Sequence, residues 1–496
     1  MTSIRITAAA ALAALLLAGA GCGGEEEDLQ YRAEKDLFDA RKLAGELAFP
    51  NINRDFLERA VSAYRSIVEE YGDEAADEEM KMLVVAAQME LAELEFRAEL
   101  FEPARDDFLE VLELADGIPE ARANALWSAA YISSHIGDSA EAARLYSLFM
   151  ERFLRPEAAA YTAGMNRRYL LTPIRLAEVS AALGDTAGRA NALEKAVDLY
   201  RHILSSDPPP DLARETRYNL VTAFLLAGKW EDAIEAVRRM KKIYGDTRDL
   251  PGLMFLESRI MLSGFEDPGA AAGILDRIAR EHSGSREAPS ALLMIGGIRM
   301  GRGDLDGAEE VYEQVVENYP ESSDEIVEAT WQLARIEEMR GEWLDASLYY
   351  KSLYTDFPTT LQGLEAPLHI AGHYRDAGEK EAAEAAYRRA EEHYEKLVSR
   401  QYSESIRILA EEYYVRTFAE QGRWEDAAGR LLTLPVRYPE YSRFREAYLM
   451  AAAIYETELG NSAKALEILE TCATRYPGTA LAETARREMN RIRGSN

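Results

Sequence analysis

Few residues in this chain have the type and spacing to do chemistry. Six histidines occur, and only His369 and His373 lie close together; four apart on one helix, both would face the same ligand. No cysteine or carboxylate pattern completes a zinc set around them, and there is no His-Glu-x-x-His, so they read as structural or surface residues. Asp304-Leu-Asp306-Gly307 matches only the opening of a calcium loop, without the later ligands or the closing glutamate. Aspartates in such a turn more readily cap the helix that follows. No phosphate-cradling glycine loop and no Gly-x-Ser-x-Gly elbow is present. The two cysteines are Cys22 and Cys472. If Cys22 is modified, Cys472 has no partner, and its place on an apolar stripe predicts a buried, inert thiol. The sequence therefore predicts no catalysis, no cofactor and no metal.

The elements that would position any site are repeats. Three strings recur almost unchanged: Gly228-Lys-Trp230-Glu-Asp-Ala233, Gly341-Glu-Trp343-Leu-Asp-Ala346 and Gly422-Arg-Trp424-Glu-Asp-Ala427. Weaker copies begin at Gly137, Gly303, Gly378 and Gly460, each with alanine five residues later. The glycine suits a helix end whose next residue turns left-handed, where a Cβ costs about 1–2 kcal/mol. The alanine lets two antiparallel helices approach near their turn. After the turn, Ala346, Tyr350 and Leu353 fall at helical spacing, as do Ala308, Tyr312 and Val315, and Ala465, Leu469 and Cys472. Pro320, Pro358, Pro439 and Pro477 then follow, each behind an aromatic residue that must leave the α region. The unit is helix, tight turn, helix, short link. Turns are predicted near residues 50, 101, 137, 184, 228, 265, 303, 341, 378, 422 and 460, with a final helix near 479–493. Their regular place in the repeat assigns the three turn tryptophans to packing.

This pattern resembles the tetratricopeptide repeat (TPR) family over nearly the whole chain after residue 28. The Tyr-Pro-Glu-Ser, Phe-Pro-Thr-Thr and Tyr-Pro-Gly-Thr links are similar to those of bacterial envelope TPR lipoproteins. Among these are the TPR lipoprotein of the outer-membrane β-barrel assembly machine and the Tol-associated cell-division coordinator. The resemblance implies an all-α, right-handed α-solenoid of about eleven repeats, with first helices lining a concave groove. On that basis Tyr218, Trp331, Arg335, Arg375 and Arg416 are candidate partner-binding residues. First helices of the third to eleventh repeats lack lysine, a departure from the TPRs that clamp chaperone tails.

Residues 1–21 read as a signal peptide: Arg5, then an apolar run from Ala8 to Ala18, too short to cross a bilayer. Ala20-Gly21-Cys22 resembles the bacterial lipobox, which implies that Cys22 carries acyl chains such as palmitate. Ala18-Gly-Ala20 alternatively fits ordinary signal peptidase and a soluble periplasmic protein. Gly23 after the cysteine favours attachment to the outer membrane, facing the periplasm. Residues 22–28 then form an acidic tether, 29–136 divergent acidic repeats, 137–478 the TPR array and 479–496 a capping helix.

The net charge is −30, from 87 acidic and 57 basic residues, and Ser66 to Glu120 holds 18 acidic residues against 3 basic. Such a surface disfavours nucleic acid and direct adhesion to anionic lipid. Glu102, Asp106, Glu110 and Glu113 fall on the solvent side of a second helix, whereas Glu90 and Glu93, on a first helix, are candidates for docking a basic partner. The function expected is a protein-interaction scaffold of the bacterial envelope, in outer-membrane protein assembly. Coordination of cell-wall synthesis or division is the alternative, and a solute or metal receptor feeding a transporter is a third reading.

Overall fold

The computed structural model describes residues 25–47, 49, 52–72, 77–154, 167–245, 247–439 and 441–495. The expected signal peptide and Cys22 lie outside them. Every regular element among the described residues is helical, and no helix there is long and apolar enough to cross a membrane.

The chain divides into two compact units at residues 202 and 203. The first holds α1 (Glu25–Gly45), α2 (Arg54–Tyr71), α3 (Glu78–Arg97), α4 (Phe101–Leu114), α5 (Pro119–His135), α6 (Ser139–Phe153), α7 (Thr172–Ala182) and most of α8 (Thr186–Ser205). The second runs through α9 (Pro210–Leu226), α10 (Trp230–Tyr244), α11 (Leu250–Ser263), α12 (Pro268–Glu281), α13 (Ala288–Gly301), α14 (Leu305–Asn318), α15 (Ser323–Arg340) and α16 (Trp343–Asp356). It continues with α17 (Leu361–Asp376), α18 (Lys380–Ser399), α19 (Glu404–Glu420), α20 (Trp424–Arg437), α21 (Ala447–Thr457), α22 (Ser462–Arg475) and α23 (Ala480–Ser495). Ten of the eleven expected turns fall between an odd-numbered helix and the next, the expected turn at residue 50 lies outside the described residues, and α23 stands where the final helix is expected. One boundary moves: α1 begins at Glu25, so the last residues of the expected tether are already helical.

From α1 to α7, and from α9 to α23, each helix packs on the next. Successive first helices also touch: α1 with α3, α3 with α5, α13 with α15, α15 with α17, α17 with α19. Successive second helices approach less closely, so within each unit the odd helices form the inner layer.

The turns show why the glycines stand where they do. Gly137, Gly228, Gly303, Gly341, Gly378, Gly422 and Gly460 all have φ between +61° and +83°. In most repeats the next residue's N–H donates to the carbonyl five residues back, as from Glu342 to Glu337 at 2.9 Å and Arg423 to Phe418 at 2.9 Å. This closes the helix end and turns the chain in one step. Two repeats reach the same turn without glycine, placing Glu99 at φ 63° and Glu266 at φ 51°. Five residues after the turn glycine, Ala142, Ala233, Ala308, Ala346, Ala427 and Ala465 are fully buried, and Ala383 is nearly so. Tyr146, Tyr312, Tyr350 and Tyr387 follow four residues later, buried against the first helices. α14, α16, α20 and α22 each end two residues before the link proline, as the restriction on the pre-proline residue requires. Cys472 is fully buried, and burial pushes its thiol up to about 11. The four acidic residues expected on the outside of α4 are exposed.

A candidate recognition groove on the first helices

The inner layer of the second unit contains a cavity of about 530 Å³ across α15, α17 and α19, lined among others by Glu338, Glu365, His369, Arg375, Arg416 and Glu420. Its residues occupy equivalent places in successive repeats. Glu338 and Arg375 stand three before the turn glycines Gly341 and Gly378, and Arg335, Gly372 and Arg416 stand six before theirs. Arginine occupies that second place in the flanking repeats; in the middle one it is glycine. A Cβ at Gly372 would meet only the Arg375 guanidinium, at 3.7 Å, so the missing side chain is part of what opens the groove.

At one end Glu338 bonds His369 Nε2 at 2.8 Å and accepts from the Tyr350 hydroxyl at 2.9 Å. Burial pushes the Glu338 carboxyl up, but those two partners outweigh it and hold it below the ordinary range. Burial, reinforced by the Glu338 charge, keeps the Tyr350 phenol protonated and so a donor. Aromatic plates support this end. His373 stacks flat on Trp343, centroids 3.4 Å apart and planes 3° from parallel. Trp331 meets Tyr350 edge-on at 5.0 Å and lies 5.8 Å from His369. At the other end Glu420 accepts from Arg416 Nε at 2.8 Å, Arg375 Nη1 at 3.2 Å and the Tyr387 hydroxyl at 3.4 Å. Arg375 also donates to Asp376 at 2.9 Å, a bond that holds the Asp376 carboxyl below its usual range. Glu365 carries no hydrogen bond among the described residues. The groove holds four carboxylates (Glu338, Glu365, Asp376, Glu420) against two guanidiniums, with aromatic rings packed behind its histidines. Such a wall suits a cation carried on an apolar stem.

The structure brings only some of the expected residues together. Arg375 and Arg416 line this groove, and Trp331 packs behind it against Tyr350 and His369. Arg335 lies exposed on α15, donating to Gln332. Tyr218 is on α9, where burial, then the Asp249 charge, pushes its phenol up to about 12. Glu90 and Glu93 are on α3 in the first unit. Glu90 is held by Arg41 of α1 at 2.6 Å and by the Tyr64 hydroxyl at 3.2 Å, so it ties adjacent first helices. Glu93 is half-buried, and burial pushes its carboxyl up despite Arg168. Of the turn tryptophans, Trp230 lies against Gly264 of the next repeat, whose Cβ would come within 2.5 Å of the indole. Trp343 differs in stacking on His373, which lines the groove. Sequence reasoning missed Glu338, Glu365 and Glu420, and left His369 outside the site. The shared offset from the turn glycine was the signal for Glu338, since it aligns that residue with Arg375. Among the described residues, no group of three or more His, Cys, Asp or Glu is placed to hold a metal.

Comparison with known proteins matches residues 290–322 and 446–479 to one tetratricopeptide repeat model and residues 181–246 to another. No curated protein matches the chain in sequence. Among solved structures it is similar to a tetratricopeptide repeat protein from Parabacteroides merdae (12% identity, covering 60% of this chain and 99% of that one, TM-score 0.38). It is also similar to yeast Tom70 (14% identity, 95% and 97% covered, TM-score 0.37) and to the apo form of RapI (10% identity, 74% and 98% covered, TM-score 0.40).

Proposed function

We propose that this tetratricopeptide-repeat chain is a non-catalytic scaffold of the bacterial envelope. It is held by acyl chains on Cys22 at the periplasmic face of the outer membrane, and it grips a segment of a partner protein in the α15–α17–α19 groove. The observation that carries the groove reading is a preformed cavity lined by four carboxylates, two guanidiniums and two histidines of three successive first helices, with aromatic rings packed behind the histidines. A preformed groove orders little of itself on binding, so a short helix or extended segment gains useful affinity there. The wall's excess of carboxylates selects a segment presenting lysine or arginine next to apolar side chains. Two features support the envelope placement: the lipobox-like Ala20-Gly21-Cys22 and the envelope-type links between repeats. The process served is assembly of outer-membrane proteins.

A photo-crosslinker at Glu365 in cells tests this reading, with Gly372→Leu as the control. Leucine fills the groove while replacing a helical glycine, so binding is expected to fall without loss of stability. Crosslinks to an envelope protein that vanish in Gly372→Leu support the groove; identical crosslinks in both chains refute it. Trapped β-barrel assembly factors support the assembly role, whereas peptidoglycan synthases replace it with wall synthesis or division. A stoichiometric small solute or metal in the purified protein overturns the scaffold reading in favour of a receptor.

A further inference from the structure

Aromatic side chains among the described residues are covered almost without exception. Among the described residues the two most exposed are Tyr31 at 64% and Phe38 at 65%, both on α1. Seven residues apart, they share one face of the helix about 10 Å from each other. Lys35 falls between them and Lys42 one turn beyond, both exposed. The opposite face, with Ala33, Leu37 and Ala40 buried, packs into the core of the first unit. Two acidic side chains of the helix are engaged elsewhere: Asp36 accepts from the Tyr71 hydroxyl at 2.7 Å and Glu34 from Gln30 at 3.2 Å. Asp39 remains exposed beside the stripe. A stripe of Tyr, Lys, Phe and Lys faces outward on a chain whose net charge is −30.

We propose that this face of α1 lies on the head-group layer of the lipid bilayer, immediately beside the acyl anchor. The inference rests on the Cys22 anchor for proximity: α1 begins three residues after Cys22, and Tyr31 is nine residues from it. Even a fully extended chain places Tyr31 within about 30 Å of the anchored residue, and a helix from Glu25 shortens that reach. The composition then decides what covers the face. Aromatic rings settle at the boundary between hydrocarbon and water, and lysine stems lie along apolar surface while their ammonium groups reach lipid phosphates. A basic protein partner would be repelled by Lys35 and Lys42, and the two lysines of a second copy would repel these. The anchor and the stripe together hold the first unit against the membrane at a fixed tilt, where an anchor alone leaves it free to swing.

The test uses full-length lipidated protein in vesicles of phosphatidylethanolamine and phosphatidylglycerol with brominated acyl chains. A fluorophore is attached at Asp39→Cys, and at Leu344→Cys as an equally exposed control in the second unit. Cys472 is buried and stays unlabelled. The expected result is quenching at position 39 severalfold stronger than at 344, with the difference abolished by Tyr31→Ser/Phe38→Ser and by Lys35→Glu/Lys42→Glu. Equal quenching at both positions, in protein that still floats with the vesicles, overturns the docking and leaves the anchor standing. Protein that does not float overturns the anchor and this inference with it. Self-quenching of the 39 label without lipid quenching assigns the face to a second copy and overturns the proposal.

Discussion

The sharpest test of the turn geometry substitutes one residue type at two places and expects opposite signs. Gly341 sits at φ +82°, with no atom near enough to contact an added Cβ. The cost of alanine there is therefore backbone strain alone, about 1–2 kcal/mol. The smaller conformational freedom of alanine in the unfolded chain offsets about 0.4–1 kcal/mol of it. The net expectation is a loss of about 1 kcal/mol. Gly372, thirty-one residues on, is an ordinary helical glycine with open space around it. Alanine there is expected to stabilise by about 0.5–1 kcal/mol. Glu266→Gly completes the set, because a non-glycine residue already occupies the left-handed region at φ 51°, and relief of strain gives a gain of about 0.5–1 kcal/mol. Urea titration followed by tryptophan fluorescence is the assay, since Trp331 and Trp343 flank the first two sites. A change of 1 kcal/mol moves the midpoint by about 0.3–1 M. Shifts of the same sign for Gly341→Ala and Gly372→Ala refute the account of the turn.

Three further outcomes are expected. Ala346 is fully buried where two helices cross near their turn, so Ala346→Leu should cost about 1–3 kcal/mol. The exposed Glu342→Gln should change stability by under about 0.5 kcal/mol, and equal melting temperatures for the two variants count against the turn placement. Glu411 is fully buried between Arg430 at 2.6 Å and Arg437 at 2.5 Å. Removing it leaves the mostly buried Arg430 with Glu395 alone and Arg437 to solvent, so Glu411→Ala should cost about 1.5–3 kcal/mol by urea denaturation, and a loss under about 0.5 kcal/mol refutes the pairing. Finally, burial first, then the facing Asp107 carboxyl, pushes Glu95 up to about 8 despite Arg65. A carboxyl with a raised folded pKa takes up a proton on folding. Its contribution is whole below the usual value of 4.5 and is lost as pH rises to about 8. The urea midpoint should fall across that window in the native chain, and the fall should shrink in Glu95→Gln; an unchanged slope refutes the buried acid pair.

The repeat was legible because its determinants are local. A glycine for a left-handed turn, an alanine for a close crossing and a proline to stop a helix each act within a few residues, so the turns could be read from short stretches of sequence. The turns at Glu99 and Glu266, which lack that glycine, lie close to the expected positions 101 and 265. The groove was only half legible, because its bonds join neighbouring repeats. His369 to Glu338 spans 31 residues and Arg375 to Glu420 spans 45, distances at which no periodicity announces a pair. His369 and His373 were read as one helix face, and they do share it. Their partners, Glu338 and Trp343, belong to the preceding repeat. Likewise Glu90 looked available for docking because Arg41, 49 residues earlier, gives no local sign of reaching it. The aromatic–lysine face of α1 escaped notice because Tyr31 and Phe38 satisfy the same helical periodicity as core residues, and only their exposure sets them apart.

The position six before the turn has a consequence for how such a protein changes over generations. It faces the inner layer and takes no part in closing the turn or crossing the helices. One codon there exchanges arginine for glycine, filling or emptying a slot while the stacking of the array goes on unaffected. Specificity in this architecture can therefore drift, repeat by repeat, under a separate selection from the one that keeps the chain folded.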